Sequence, residues 1–172
     1  VAKGVETQTE KLTKVCRMRD TPIIFFVNKL DREGKDALDL LDEIEQKLSV
    51  KVRPLSWPIG MGQRYKGVYN LYERKLVLFN PHGKQEEEDI IVFENPDHPD
   101  LEKHIGESAA RTLREEIEMV ETVYPPFEKE TYLSGQICPV FFGSAVNNFG
   151  VKELLDCFVE IAPPPRPRFT ED

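Results

Sequence analysis

Asn28-Lys29-Leu30-Asp31 follow directly on Ile23-Ile24-Phe25-Phe26-Val27, a continuous β-branched and aromatic run. Such a run predicts a strand buried on both faces, as in a parallel sheet. In open α/β sheets ligands bind just past the carboxyl ends of strands, so these four residues stand where ligand chemistry is done. A carboxylate such as Asp31 accepts two hydrogen bonds at once. Guanine offers a matching pair of donors, the ring N1–H and the exocyclic 2-amine. Adenine presents an unprotonated N1 and no 2-amine. Asp31 is therefore a candidate reader of guanine against adenine, and a site built around such bonds strongly rejects a ligand that lacks them. The alkyl stem of Lys29 can lie over the base plane, and Asn28 can tie loops together and touch the base.

A single polar turn after a strand arises readily by chance. A second one adds weight. The apolar run Ile137-Cys138-Pro139-Val140-Phe141-Phe142 also ends in a small, polar turn, Gly143-Ser144-Ala145. Small residues there let backbone N–H groups approach a base carbonyl closely. Ser144 and Ala145 thus join Asn28, Lys29 and Asp31 as the candidate base-binding set. If both strands belong to one parallel sheet, both turns lie at the same edge.

The elements around them alternate in α/β fashion. Residues 5–18 carry Val5, Leu12, Val15 and Met18 on one helical stripe, with basic residues near the end. Asp20-Thr21-Pro22 breaks that helix. Residues 37–48 repeat the pattern with Leu38, Leu41, Ile44 and Leu48. The grammar then changes to short β-like runs at 52–59, 67–71, 75–79 and 89–93. Gly60-Met61-Gly62 and Asn80-Pro81-His82-Gly83 separate them, and a carboxylate run from Glu86 to Asp89 reads as a solvated loop. A helix is expected over 108–123, with Ser108 as its cap and Pro125-Pro126 as its stop. A shorter helix over 127–133 follows. The second strand is followed by a helix over 149–161 with Val151, Leu154, Leu155, Phe158 and Ile161. Pro163-Pro164-Pro165-Arg166-Pro167 then closes the chain as a stiff linker. The division expected is 1–51 and 131–162 for the α/β part, 52–130 for an inserted subdomain with antiparallel strands, and 163–172 for a linker to a following domain.

The 172 residues amount to about one domain, and 40% of them are apolar, enough for a core. A net charge of −8 argues against nucleic-acid binding through the overall field, DNA included. The local group Arg64, Lys66, Arg74 and Lys75 reads as a solvated hairpin face. Cys16, Cys138 and Cys157 form no CxxC or zinc spacing. Cys138 and Cys157 lie in apolar runs as core residues, and the odd count suggests a reducing, cytoplasmic compartment. His82, His98 and His104 lack ligand spacing, so no metal site is expected. No apolar run is long enough to span a membrane.

Asn28-Lys29-Leu30-Asp31 resembles the guanine-specificity motif of regulatory GTPases, and Phe142-Gly143-Ser144-Ala145 resembles the second guanine loop of translational GTPases. Trp57-Pro58-Ile59-Gly60 and Tyr65-Lys66-Gly67-Val68-Tyr69-Asn70-Leu71 are similar to the large-factor group of that family, which includes elongation factor G and release factor three. Gly60-Met61-Gly62, Gly67-Val68-Tyr69, Arg19-Asp20-Thr21-Pro22-Ile23 and Asn148-Phe149-Gly150-Val151 look closer to the release-factor-three branch. The resemblance covers nearly the whole chain. It implies the C-terminal part of a P-loop GTPase-type parallel sheet and GTP or GDP as ligand. It also implies a role in translation termination that promotes release-factor recycling, with the ribosome and class-I release factors as partners. The alternatives are an elongation-factor-G-like or ribosome-protection GTPase, or a non-catalytic ribosome- or protein-interaction module.

The sequence departs from the family in one large respect. It contains no G-x-x-x-x-G-K-[S/T] loop, hence no backbone cradle for phosphates and no hydroxyl for Mg²⁺. Asp31-Arg32-Glu33-Gly34 spells D-x-x-G, but Asp31 would then have to serve both ends of one nucleotide. Gly60-Met61-Gly62 is not followed at once by a helix, as a phosphate loop would be. No catalytic residue is therefore expected here, Mg²⁺ is expected only in an intact parent, and the chain is expected to start after that parent's switch regions.

Overall fold

The computed structural model describes residues 4–78 and 91–165. The elements in chain order are α1 (Thr7–Met18), β1 (Phe25–Val27), α2 (Ala37–Leu48), β2 (Val52–Pro54), β3 (Ser56–Ile59), β4 (Gly67–Asn70), β5 (Lys75–Leu78), β6 (Ile91–Phe93), α3 (Leu101–Ile105), α4 (Glu107–Val123), α5 (Lys129–Leu133), β7 (Cys138–Phe142) and α6 (Val151–Ile161). The turn at Asn80-Pro81-His82-Gly83, the carboxylate run from Glu86 to Asp89, and Arg166 and Pro167 of the proline-rich exit lie outside the described residues.

Two sheets organise the described residues. The first has the order β1-β7-β2 and is parallel throughout; the second, β3-β4-β5-β6, is antiparallel throughout. The fold is therefore α/β, a parallel core sheet with helices plus an inserted antiparallel sheet. In the first sheet Phe25 lies opposite Val140, Val27 opposite Phe142, and Val52 opposite Cys138. Central β7 is buried at every residue, which accounts for its unbroken apolar run. β1 differs from expectation. It is shorter than residues 23–27, and Phe25 and Phe26 are only half-buried, because β1 has one partner strand among the described residues.

The run 52–59, expected as one strand of the insert, is divided between the sheets. Val52–Pro54 pairs in parallel with β7, and only Ser56–Ile59 turns antiparallel to β4. Leu55 is the pivot. Its N–H donates to Val140 O at 2.9 Å, and its own carbonyl accepts from Leu71 and Tyr72 at 2.9 and 3.3 Å. The Ser56 hydroxyl beside it accepts the buried Phe142 N–H at 2.8 Å. Trp57 meets Phe142 edge-on at 5.7 Å and donates its indole N–H to Glu116 at 2.8 Å. The insert is thus bonded to the end of β7.

Helix ends follow local chemistry. Asp36 caps α2 by accepting from Asp39 N–H at 2.9 Å. At the other end Arg17 donates to the carbonyls of Leu48 and Ser49, a basic side chain on orphan C-terminal acceptors. For α4 the cap is Gly106, not Ser108, which lies within the first turn and makes no capping bond. The stripe expected to bury α1 is exposed at Leu12, Val15 and Met18, and Thr13 is the residue it buries. Leu155 and Phe158 of α6 are likewise exposed, while Cys157 and Ile161 face inward.

Candidate functional site

β1 and β7 run side by side in register, so the residues after Val27 and after Phe142 emerge at one edge of the sheet. The pairing continues past both strands. Gly143 N–H donates to Val27 O at 3.0 Å, and Leu30 N–H donates to Gly143 O at 3.2 Å. Gly143 permits this approach because a Cβ there would stand 2.2 Å from Phe149 O and 2.7 Å from the Phe26 ring.

The first loop is organised by alternation. Leu30 is fully buried as an anchor, Lys29 is exposed, and Asp31 is partly exposed. Asn28 Oδ1 accepts from Lys29 N–H at 2.7 Å and from Ala145 N–H at 2.9 Å. Lys29 has φ 70°, a left-handed backbone that costs a non-glycine residue about 1–3 kcal/mol and concentrates at ligand clamps.

The second loop closes on the first. Ser144 is fully buried; its hydroxyl donates to Asp31 Oδ1 at 2.5 Å and accepts from Asn147 Nδ2 at 3.1 Å. Its backbone exchanges two bonds with Phe149, at 2.9 and 3.0 Å. Asn28, Lys29, Asp31, Ser144 and Ala145 are therefore together at one edge. A carboxylate has roughly four lone-pair sites, so the Ser144 bond orients Asp31 and leaves capacity for two donors of a base. The Ala145 N–H, read from the sequence as facing a base carbonyl, is donated to Asn28 and ties the loops to each other.

Several residues of this arrangement lie outside both guanine motifs. Asn147 extends the chain of bonds behind Ser144. Gly62, in the turn between β3 and β4, donates its N–H to Leu30 O at 2.8 Å. Tyr65 is buried against Phe149, with ring centroids 5.9 Å apart. Burial first, then the charges of Glu153 and Asp31, hold its phenol well above its ordinary ionisation range. Glu43 of α2 takes Lys35, Lys47 and the Val5 N–H. The Lys35 and Lys47 hydrogen bonds bring its pKa down to about 2.

The remaining candidates resolve into structure. Burial raises the Cys138 thiol to about 11 and that of Cys157 to about 12, which leaves both protonated and inert at neutral pH. His98 and His104 pack on Phe93 at 4.9 and 5.5 Å. A cavity of about 630 Å³ lies at the opposite end of the parallel sheet, lined by Ile23, Cys138 and Arg17 among others. Its arginine is committed to the end of α2. Asp31 of the D-x-x-G string is held by Ser144, and among the described residues no group of three or more His, Cys, Asp or Glu side chains is placed to hold a metal. Among the described residues no helix is long and apolar enough to cross a membrane.

Residues 1–164 match the family described as Elongation factor Tu GTP binding domain, and the chain belongs to that family, a GTP-binding domain of translational GTPases. The match supports the elongation-factor-like alternative better than the termination role.

Proposed function

We propose that this chain supplies the guanine-reading edge of a translational GTPase domain. Asp31 accepts the N1–H and 2-amine of the base, and Lys29 covers its plane. Asn28 holds the two loops together through Ala145, while Ser144 aims the carboxylate. The observation that carries this reading is the pair of cross-loop bonds, Ser144 to Asp31 and Ala145 to Asn28, at the carboxyl ends of two parallel strands.

Base recognition alone supplies weak binding. Each hydrogen bond to a charged group contributes about 1.5–3 kcal/mol, against an association cost of about 4–15 kcal/mol. With no phosphate loop in its sequence, the chain by itself binds GTP weakly and hydrolyses none. Calorimetry should accordingly find no tight site; a sub-micromolar GTP affinity or steady phosphate release would contradict this.

The partner that fits the family is the ribosome, in the cytoplasm. The elongation-factor-like role is favoured by the family match. The narrower termination role, acting on class-I release factors, rests on the residues around Trp57 and Gly67 that resemble release factor three. The two separate by assay of the longer protein carrying this chain. Faster release-factor exchange on terminated ribosomes supports termination, and movement of tRNA and mRNA supports elongation.

A further inference from the structure

We infer that the turn at residues 60–66, in the antiparallel insert, is the positioning element for both base loops, and that guanine discrimination depends on Gly62 and Tyr65. The inference builds on the base site proposed above and adds residues to which neither guanine motif gives a role there.

The turn reaches each loop separately. Toward the first, the Gly62 N–H donates to Leu30 O at 2.8 Å. Leu30 is fully buried between Lys29 and Asp31, and its own N–H is held by Gly143 O. Leu30 is thus clamped on its carbonyl by the insert and on its amide by the turn after β7. Toward the second loop, the Tyr65 ring packs on Phe149, whose backbone makes both bonds to Ser144. A shift of Tyr65 therefore moves the strap that carries the Ser144 hydroxyl.

The turn is itself rigid. Lys66 N–H donates to Ile59 O at 2.8 Å and Tyr65 N–H to Gly62 O at 3.2 Å. The Lys66 ammonium donates to Ile105 O of α3 at 2.8 Å. Gly60 at φ 73° brings its α-carbon so close to Arg64 O that a Cβ would lie 2.2 Å away. Gly62 has φ 61°, and a Cβ there would meet the Glu33 carboxylate at 2.3 Å. Glu33 is exposed and can swing aside. The left-handed backbone is therefore the stricter demand at position 62, one that asparagine tolerates and a β-branched residue does not.

The test uses the ¹⁵N-labelled chain with Gly62→Val, Gly62→Asn and Tyr65→Leu. Amide hydrogen exchange is read at Leu30 and Ala145, with Leu113 in α4 as the internal reference. Guanosine and inosine, which differ by the 2-amine, are titrated in parallel. Gly62→Val should speed exchange at Leu30 and Ala145 by about tenfold relative to Leu113, as strain at a left-handed position implies. It should also shrink the guanosine-over-inosine preference about threefold, a loss of about half a power of ten. Gly62→Asn should stay near wild type on both readouts, and Tyr65→Leu should loosen Ala145 more than Leu30. Three results overturn the inference: exchange at both amides unchanged in Gly62→Val, an equal rise at Leu113, or faster exchange with an unaltered base preference. A wild-type chain that does not distinguish the two nucleosides contradicts the guanine site itself, and the exchange comparison still decides the role of the turn.

Discussion

Ser144 and Asp31 stand 113 residues apart in sequence, and the hydroxyl of one donates to the carboxylate of the other over 2.5 Å. The bond joins the turns after two neighbouring parallel strands. Ser144→Ala removes the donor to Asp31 and the acceptor for Asn147 together. The expected loss is about 1–2 kcal/mol of stability, read as a lower denaturant midpoint, with weaker guanosine binding in titration. An alanine variant that binds guanosine as wild type does would show that Asp31 needs no aiming.

Asp31→Asn tests the carboxylate directly. An amide presents one oxygen to the two donors of guanine and turns a donor toward the other. Loss of one hydrogen bond to a charged group, about 1.5–3 kcal/mol, corresponds to roughly ten- to a hundredfold in affinity. Nucleoside titration should show that drop for guanosine and no change for adenosine.

Gly143→Ala should injure the site through packing alone. Its methyl would enter the space taken by Phe149 O and the Phe26 ring. Overpacking of this kind costs about 1–3 kcal/mol. A urea melt should show the loss, and the cross-peaks of Leu30 and Ser144 should shift more than those of α4.

The meeting of the two polar turns was legible because their side chains stand out by type. Asn28, Asp31 and Ser144 are polar residues following apolar runs, and strand polarity then dictates that the two turns share an edge. Less legible was where the chain changes sheets. Val52–Pro54 and Ser56–Ile59 lie in one unbroken β-like run with no turn residue between them, and the partner strand is what distinguishes them. The Gly62–Leu30 bond is backbone to backbone, so its one trace in the sequence is a glycine. Periodicity misjudged α1 for a different reason. Leu12, Val15 and Met18 share a helical stripe, yet a stripe does not say what covers it, and here it is exposed.

Glu43 contributes to the acid response. Its pKa falls from 4.5 to about 2 through the Lys35 and Lys47 hydrogen bonds. A depressed carboxylate contributes stability in full above its unfolded value and loses it as pH drops through its folded value. The gap in thermal midpoint between wild type and Glu43→Gln should be constant above pH 4.5 and close progressively toward about pH 2. A gap that stays unchanged across that window would mean the ion pairs do not hold α2.

The most direct measurement is a titration of the ¹⁵N-labelled chain with guanosine and, separately, with adenosine, each to millimolar concentration. The account predicts saturating shifts with guanosine at Asn28, Lys29, Asp31, Ser144 and Ala145, and none there with adenosine. Equal shifts with both nucleosides would contradict it, as would guanosine shifts gathered instead at the cavity around Arg17 and Cys138.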